Sequence, residues 1–147
     1  MSTTGSTGAG GHTAPGDAHR IEWGALLDAA RSAMRRAYAP YSQYPVGAAG
    51  LVDDGRVVSG CNVENAGYGV TLCAECGMVS ELVNTGGGRL VAVACVQGDG
   101  EVVMPCGRCR QLLVEHGGGD CLVMAPDGEP RTVDQLVPLA FGPDDLA

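Results

Sequence analysis

Apolar positions recur along the chain with two different periods. A spacing of about four residues, as in Leu26, Ala30 and Met34, is typical of one buried face of a helix. Short apolar runs bounded by glycine, as in Leu90 to Val96, are typical of buried strands. In chain order the pattern predicts a helix that ends before Pro40, strands over 46–52 and 56–61, a helix over 73–84, a strand over 90–96, a helix over 107–116, a strand over 121–125 and a last helix over 133–139.

The predicted elements follow each other in the order α-β-β-α-β-α-β-α. Strands alternating with helices favour an α/β domain, and a hairpin around Asp53-Asp54-Gly55 makes its sheet mixed. We therefore expect a single three-layer α-β-α domain over residues 19–147, with a mixed sheet of about five strands. Residues 1–18 are mostly Gly, Ser, Thr and Ala without an apolar period, which predicts a disordered tail.

Charge and composition argue against two classes of partner, nucleic acids and membranes. The 147 residues include 9 basic and 17 acidic side chains, a formal net charge of −8. Because an acidic surface repels phosphate backbones, we expect no nucleic-acid partner. No apolar run reaches the roughly 18 residues that span a bilayer, and the N-terminal stretch lacks the pattern of a signal peptide. We therefore expect no membrane partner and a cytoplasmic location.

Seven cysteines in a chain of this length favour metal binding over disulfides, since the count is odd and no export signal is recognisable. Cys106 and Cys109 form a C-x-x-C pair, whose two sulfurs can converge on one metal ion. Cys73 adds a third sulfur and leaves one tetrahedral position for water, as in catalytic zinc sites. Glu75, two residues further on, can carry protons. We therefore expect one Zn²⁺ per chain on these three cysteines, with Glu75 as the catalytic group.

An alternative is a structural zinc site with four cysteines. Cys73 and Cys76 form a second C-x-x-C pair, and its spacing from the first pair is compatible with such a site. This interpretation gives Glu75 no function. The remaining cysteines lie in or beside apolar runs and are expected to be small buried apolar side chains: Cys61, Cys95 and Cys121.

These motifs occur together in one known family. Cys73-Ala74-Glu75, followed by Pro105-Cys106-Gly107-x-Cys109-Arg110-Gln111, resembles the zinc motifs of the small homotetrameric cytidine deaminases. The resemblance covers about residues 23–146. It implies hydrolysis of free cytidine and 2′-deoxycytidine to uridine and 2′-deoxyuridine plus ammonia, a reaction of pyrimidine salvage, by zinc-activated water with Glu75 as proton shuttle. Further matching segments are Pro40-Tyr41-Ser42, Val46-Gly47-Ala48-Ala49, Asn62-Val63-Glu64-Asn65-Ala66, Leu136-Val137-Pro138 with Phe141, and Asp145-Leu146.

The resemblance also implies how the nucleoside is bound. Asn62 and Glu64 match the family's clamp on the sugar 3′-hydroxyl. Ala74 would offer backbone groups to the edge of the cytosine, and Glu75 would bond to ring N3. Tyr44 stands where the family usually has Phe and would line the base or sugar pocket, with an added hydroxyl that needs a partner.

Further implications concern the subunit interface and the metal surroundings. Phe141 and Tyr68 match residues that reach a neighbouring subunit's site, which implies a homotetramer with shared active sites; plain core packing is the alternative for Phe141. Many relatives have Arg directly after the catalytic Glu, where this chain has Cys76, and a small residue where it has Arg108. We expect Arg108 to donate to a ligand sulfur and Cys76 not to bind zinc. A solvent-directed Arg108 is the alternative.

Two other activities share part of this signature. One is deamination of a different small molecule that contains cytosine, such as blasticidin S, which only the sugar contacts and substrate assays would distinguish. The other is editing of single-stranded DNA or RNA. It is disfavoured by the acidic charge and by the lack of a basic, aromatic-rich stripe.

Overall fold

Helices and strands follow each other in nearly the predicted order. The computed structural model describes residues 20–147, so the disordered tail predicted over residues 1–18 lies outside the described residues. No helix over residues 20–147 is long and apolar enough to cross a membrane. The elements are α1 (Trp23–Met34), β1 (Val46–Val52), β2 (Val57–Cys61), α2 (Ala74–Asn84), β3 (Leu90–Gln97), β4 (Glu101–Val102), α3 (Gly107–Gly117), β5 (Leu122–Met124), β6 (Pro130–Thr132) and α4 (Val133–Leu136), with short 3₁₀ turns at Tyr68–Val70 and Pro143–Leu146.

The sheet is mixed, as the hairpin predicted. Its strand order is β2-β1-β3-β5-β6, and β4 pairs with one end of β3. Because β1 is antiparallel to both β2 and β3, these two strands run in the same direction. The β3–β5 pair is parallel, and β6 is antiparallel to β5. α2 follows β2, α3 follows β4, and the two helices contact each other.

The predicted three layers are confirmed. On one face, α1 packs over small side chains of the central strands, including Ala49, Ala92 and Ala94. On the other face, α2 and α3 pack over a second cluster that includes Val93 and Cys95. Alternate side chains of β3 thus point to opposite faces of the sheet, as expected for a strand buried on both sides.

Two glycines let helices touch strands directly. A Cβ atom at Gly60 on β2 would collide with the carbonyl oxygen of Ala74 and the backbone nitrogen of Met78, both in α2. A Cβ atom at Gly47 on β1 would collide with the carbonyl oxygen of Ala30 in α1. The first turn of α2 is therefore held against β2 by backbone contact, at a distance that only glycine permits.

The structure differs from the predicted elements in two places. The strands β4 and β6 were not predicted, because two or three residues are too few to display an alternating pattern. The last helix ends at Leu136 instead of extending to residue 139. Its shorter length follows from Pro138, whose ring disfavours helical backbone at Val137.

Candidate metal and catalytic centre

Three cysteine sulfurs come together where α2 and α3 begin. Cys73 is the N-cap of α2, Cys106 is the N-cap of α3, and Cys109 lies in the first turn of α3. Their Sγ atoms all lie within 4.8 Å of one another. Sulfurs bound to one tetrahedral Zn²⁺ at about 2.3 Å are about 3.8 Å apart, so this spacing fits a single ion. The structure therefore brings together the three predicted ligands.

The pKa values of the three thiols shift in different directions. The Cys109 amide donates a hydrogen bond to the Cys106 sulfur and lowers the pKa of that thiol. Burial raises the pKa of Cys73 and that of Cys109, and for Cys109 the neighbouring Glu75 carboxylate raises it further. Since zinc binds thiolates, a bound Zn²⁺ supplies the positive charge that these sulfurs need to lose their protons.

Glu75 lies in the first turn of α2, beside the cysteine cluster. Its side chain is 5% exposed, and it is the only charged residue that is buried among residues 20–147. Burying a carboxylate is costly, and such groups concentrate at functional sites. Its Oε1 accepts a hydrogen bond from the Cys95 thiol at 3.3 Å. The arrangement provides one buried group that can exchange protons next to a metal site.

Cys76 stands outside the three-sulfur cluster. Its sulfur accepts a hydrogen bond from Arg108 Nη1 at 3.3 Å, and the same nitrogen lies 3.9 Å from the Cys73 sulfur. Among the residues that the structure describes, the cysteine group able to hold a metal consists of the three predicted ligands without Cys76. The geometry therefore disfavours the four-cysteine alternative, and it directs Arg108 toward the sulfurs.

Asn62 follows β2 and braces the loop before β1. Its Oδ1 accepts a hydrogen bond from the Val46 amide at 2.8 Å, and its Nδ2 donates to the Tyr44 carbonyl oxygen at 2.9 Å. These contacts fix the backbone next to Tyr44, which sequence reasoning assigned to the nucleoside pocket. Within the chain, Asn62 thus has a structural function that its sequence pattern did not indicate.

Glu64 makes similar contacts two residues further on. Its Oε1 accepts hydrogen bonds from the amides of Tyr41 and Ser42, at 3.0 and 3.1 Å. The Ser42 hydroxyl holds the pKa of Glu64 below its usual value. The carboxylate is therefore ionised at neutral pH and can accept a hydrogen bond from a sugar hydroxyl.

The aromatic residues assigned to substrate binding are exposed. Tyr68 is 78% exposed, Phe141 is 58% exposed, and Tyr44 is also exposed. Tyr68 has an edge-to-face contact with Tyr41, with 6.5 Å between ring centroids. Gln111 donates to the Phe141 carbonyl oxygen and thereby fixes the backbone at this position. Phe141 is not part of the core, so the alternative of plain core packing is wrong.

Sequence reasoning missed the hydrogen bond between Cys95 and Glu75. It was expected to be a buried apolar side chain, and it is fully buried, but its thiol donates to Glu75. A partial signal existed, because Val93 and Cys95 share one face of β3 by their spacing of two residues. Nothing in the spacing indicates that α2 places Glu75 over that face.

Comparison with known families agrees with this centre. A family model described as the cytidine and deoxycytidylate deaminase zinc-binding region matches residues 22–125. The chain belongs to this family. Its membership confirms the resemblance and the expectation of a zinc-dependent deaminase, a hydrolase that acts on a carbon–nitrogen bond.

The match between this chain and individual family members covers nearly the whole length of those proteins. A cytidine deaminase from Mycobacterium tuberculosis is 60% identical over 126 residues, which cover 86% of this chain and 94% of that protein. One from Sporosarcina psychrophila is 40% identical over 126 residues, covering 83% and 93%. The crystal structure of the M. tuberculosis cytidine deaminase has a TM-score of 0.81 at 59% identity, covering 83% of this chain and 98% of that one. The expected α/β fold of the family is thereby confirmed.

Proposed function

We propose that the chain hydrolyses free cytidine and 2′-deoxycytidine to the corresponding uracil nucleosides and ammonia, as a step of pyrimidine salvage. The observation that carries this proposal is the buried Glu75 beside three cysteine sulfurs within 4.8 Å of one another. The similarity to proteins named cytidine deaminase, at up to 60% identity, supports the choice of substrate.

Glu75 is the proposed carrier of protons. Zn²⁺, held by Cys73, Cys106 and Cys109, would supply hydroxide at neutral pH by lowering the pKa of water. Glu75 accepts the proton that the attacking water loses and passes it to N3 of the cytosine ring. It then delivers a second proton from the added oxygen to the departing amine. The carbon–nitrogen bond at C4 breaks, a carbonyl forms there, and ammonia leaves.

The proposed sugar contacts explain the choice of nucleosides. Glu64 is ionised and accepts hydrogen bonds, so it suits a sugar hydroxyl and opposes a phosphate. Because cytidine and 2′-deoxycytidine share the 3′-hydroxyl, a clamp formed by Asn62 and Glu64 accepts both. The backbone of the buried Ala74 would meet the cytosine edge, and Tyr44 would line the pocket.

Ultraviolet absorbance of cytidine, with zinc measured on the same sample, tests the function. We expect turnover of cytidine and 2′-deoxycytidine by protein with about one zinc per chain, and poor turnover of cytidine monophosphate and free cytosine. Efficient turnover of blasticidin S without turnover of cytidine would mean that blasticidin S, and not cytidine, is the substrate. Zinc-loaded protein that releases no ammonia from any of these compounds would refute the deaminase proposal.

A homotetramer with active sites shared between subunits is part of the proposal. Tyr41, Tyr68 and Phe141 expose half or more of their surface, so their rings are accessible to another molecule. We propose that the covering molecule is a second copy of the chain, with Phe141 and Tyr68 contributing to its nucleoside pocket.

Shared sites predict recovery of activity in mixed assemblies. Glu75→Ala and Phe141→Ala chains are each expected to be inactive alone. When the two chains are coexpressed with different tags and purified through both tags, activity should return. Some sites of the mixed assembly then combine an intact Glu75 with an intact Phe141. Homo-oligomers of each variant are the controls. A fully active particle of about 15 kDa in sedimentation, the mass of one chain, would contradict sharing.

Arg108 is proposed to adjust the charge of the metal site. Three thiolates around Zn²⁺ leave one net negative charge, which weakens the ion as a Lewis acid. The Arg108 guanidinium lies 3.3 Å from the Cys76 sulfur and 3.9 Å from the Cys73 sulfur. A hydrogen-bonded cation draws electron density from a ligand sulfur, and helix N-termini each add only about half a unit charge.

Replacing Arg108 with Ala should therefore lower zinc retention against a chelator, or turnover, by roughly 10–100-fold. Cys76→Ala is the matched control and should change zinc retention little, because its sulfur lies outside the cluster. Adding Cys76→Arg to the Arg108→Ala chain should recover part of the loss, since it restores a cation near Cys73. Unchanged zinc release and turnover in Arg108→Ala would contradict the assignment.

We also propose that residues 19–147 act as one catalytic domain in the cytoplasm. The seven cysteines are all free thiols. A reducing compartment keeps such thiols available for zinc.

A further inference from the structure

Glu75 is held by the sheet as well as by its own helix. Cys95 lies on β3, is fully buried, and has its sulfur 3.3 Å from Glu75 Oε1. In this hydrogen bond the thiol is the donor and the carboxylate oxygen of Glu75 is the acceptor. Burial raises the pKa of the Cys95 thiol well above its usual value, so the thiol keeps the proton that it donates.

The donor stands on a rigid part of the fold. β3 lies between β1 and β5 in the sheet, and Cys95 is paired with Ala48 on β1. On its other side, the Cys95 carbonyl oxygen accepts a hydrogen bond from the Val103 amide. The backbone of Cys95 is therefore held in a central strand, and full burial of the side chain restricts rotation of its sulfur toward Glu75 on α2.

The helix backbone alone does not fix the orientation of the Glu75 carboxylate. The terminal torsion of Glu is broad, so its two oxygens can rotate even when the helix backbone is fixed. Proton transfer requires the reacting oxygen within hydrogen-bond distance of its partner, and a displacement of about 1 Å can cost about a hundredfold in rate. Backbone contact at Gly60 positions the first turn of α2, but it does not set the rotation of the Glu75 carboxylate.

We propose that Cys95 is a positioning residue for deamination, whose thiol holds Oε1 of Glu75 and leaves the second carboxylate oxygen to exchange protons. The proposal rests on the function of Glu75 proposed above. It differs from a packing function, in which Cys95 only fills space in the core and its loss affects stability alone.

Substitutions at position 95 separate the two functions. Cys95→Ala should lower kcat about tenfold, as for one lost hydrogen bond to a charged group, with KM and zinc content within about twofold. Cys95→Ser keeps a donor and should recover most of kcat. Cys95→Val fills the space without a donor and should behave like Ala, so the comparison of Ser with Val serves if the Ala variant does not fold.

Cys121→Ala is the matched control. Cys121 is also buried, in the same core cluster, and its replacement removes the same atoms. It should lower the thermal midpoint without changing kcat.

Two results would overturn the proposal: an unchanged kcat in Cys95→Ala, or a loss that Cys95→Ser does not recover. Glu75→Gln, assayed in the same experiment, distinguishes failure of the proton-carrier function of Glu75 from failure of the positioning function of Cys95. If Glu75→Gln is active, the proton-carrier function fails; if it is inactive while Cys95→Ala is fully active, only the positioning function fails.

Discussion

Replacing Glu75 with Gln is expected to leave about one zinc per chain and to lower the turnover of cytidine by roughly 10²–10⁴-fold, the usual contribution of general acid–base catalysis. The amide has nearly the same shape, and its oxygen can still accept the hydrogen bond from Cys95. It cannot, however, take up and release protons. Initial rates by ultraviolet absorbance and metal analysis of the same sample provide the measurement.

Glu115→Gln is the control for this substitution. Glu115 lies on the exposed side of α3, so the same chemical change there should alter neither zinc content nor turnover. Retention of more than about a tenth of wild-type turnover by Glu75→Gln would remove Glu75 from the proposed mechanism.

Gly60→Ala is expected to disrupt the centre without changing any residue in it. The added Cβ would collide with backbone atoms of Ala74 and Met78, so the first turn of α2 must move away from β2. Overpacking of this kind costs about 1–3 kcal/mol. Since the displaced turn carries Glu75 and follows Cys73, we expect turnover to fall by about a hundredfold or more, with weakened zinc retention.

Two glycine substitutions control for this effect. Gly98→Ala adds a Cβ where no atom beyond the two adjacent residues lies within 4 Å, and it should change little. Gly47→Ala pushes α1 away from the sheet, on the face opposite to α2. It should therefore lower the thermal midpoint while zinc is retained. Full activity and normal zinc content in Gly60→Ala would mean that α2 can shift without consequence for the centre.

Much of the centre could be predicted because its residues lie in short motifs. Cys73 and Glu75 are two positions apart, and Cys106 and Cys109 are three apart, so local spacing carries their chemistry. The main helices and strands followed from apolar periodicity for the same reason. The short strands β4 and β6 escaped because pairing with neighbours, not local pattern, defines them.

The contacts between distant segments could not be read in this way. The Cys95–Glu75 hydrogen bond depends on which residue of α2 lies above which residue of β3, a matter of register between elements. The hydrogen bonds of Asn62 to Val46 and Tyr44 likewise join segments that the sequence separates. For Arg108, the type of residue suggested a partner, but only the fold brings its guanidinium near Cys73.

The three proposed metal ligands lie at the starts of α2 and α3, and the whole of β3 lies between these two helices in the chain. An unfolded chain would have to close a long loop to gather all three sulfurs, at an entropic cost that the folded sheet removes. Zinc therefore binds the native chain more tightly than the unfolded one and stabilises it by mass action. The bound ion would then act as a cross-link between α2 and α3 that opposes their separation when the chain unfolds.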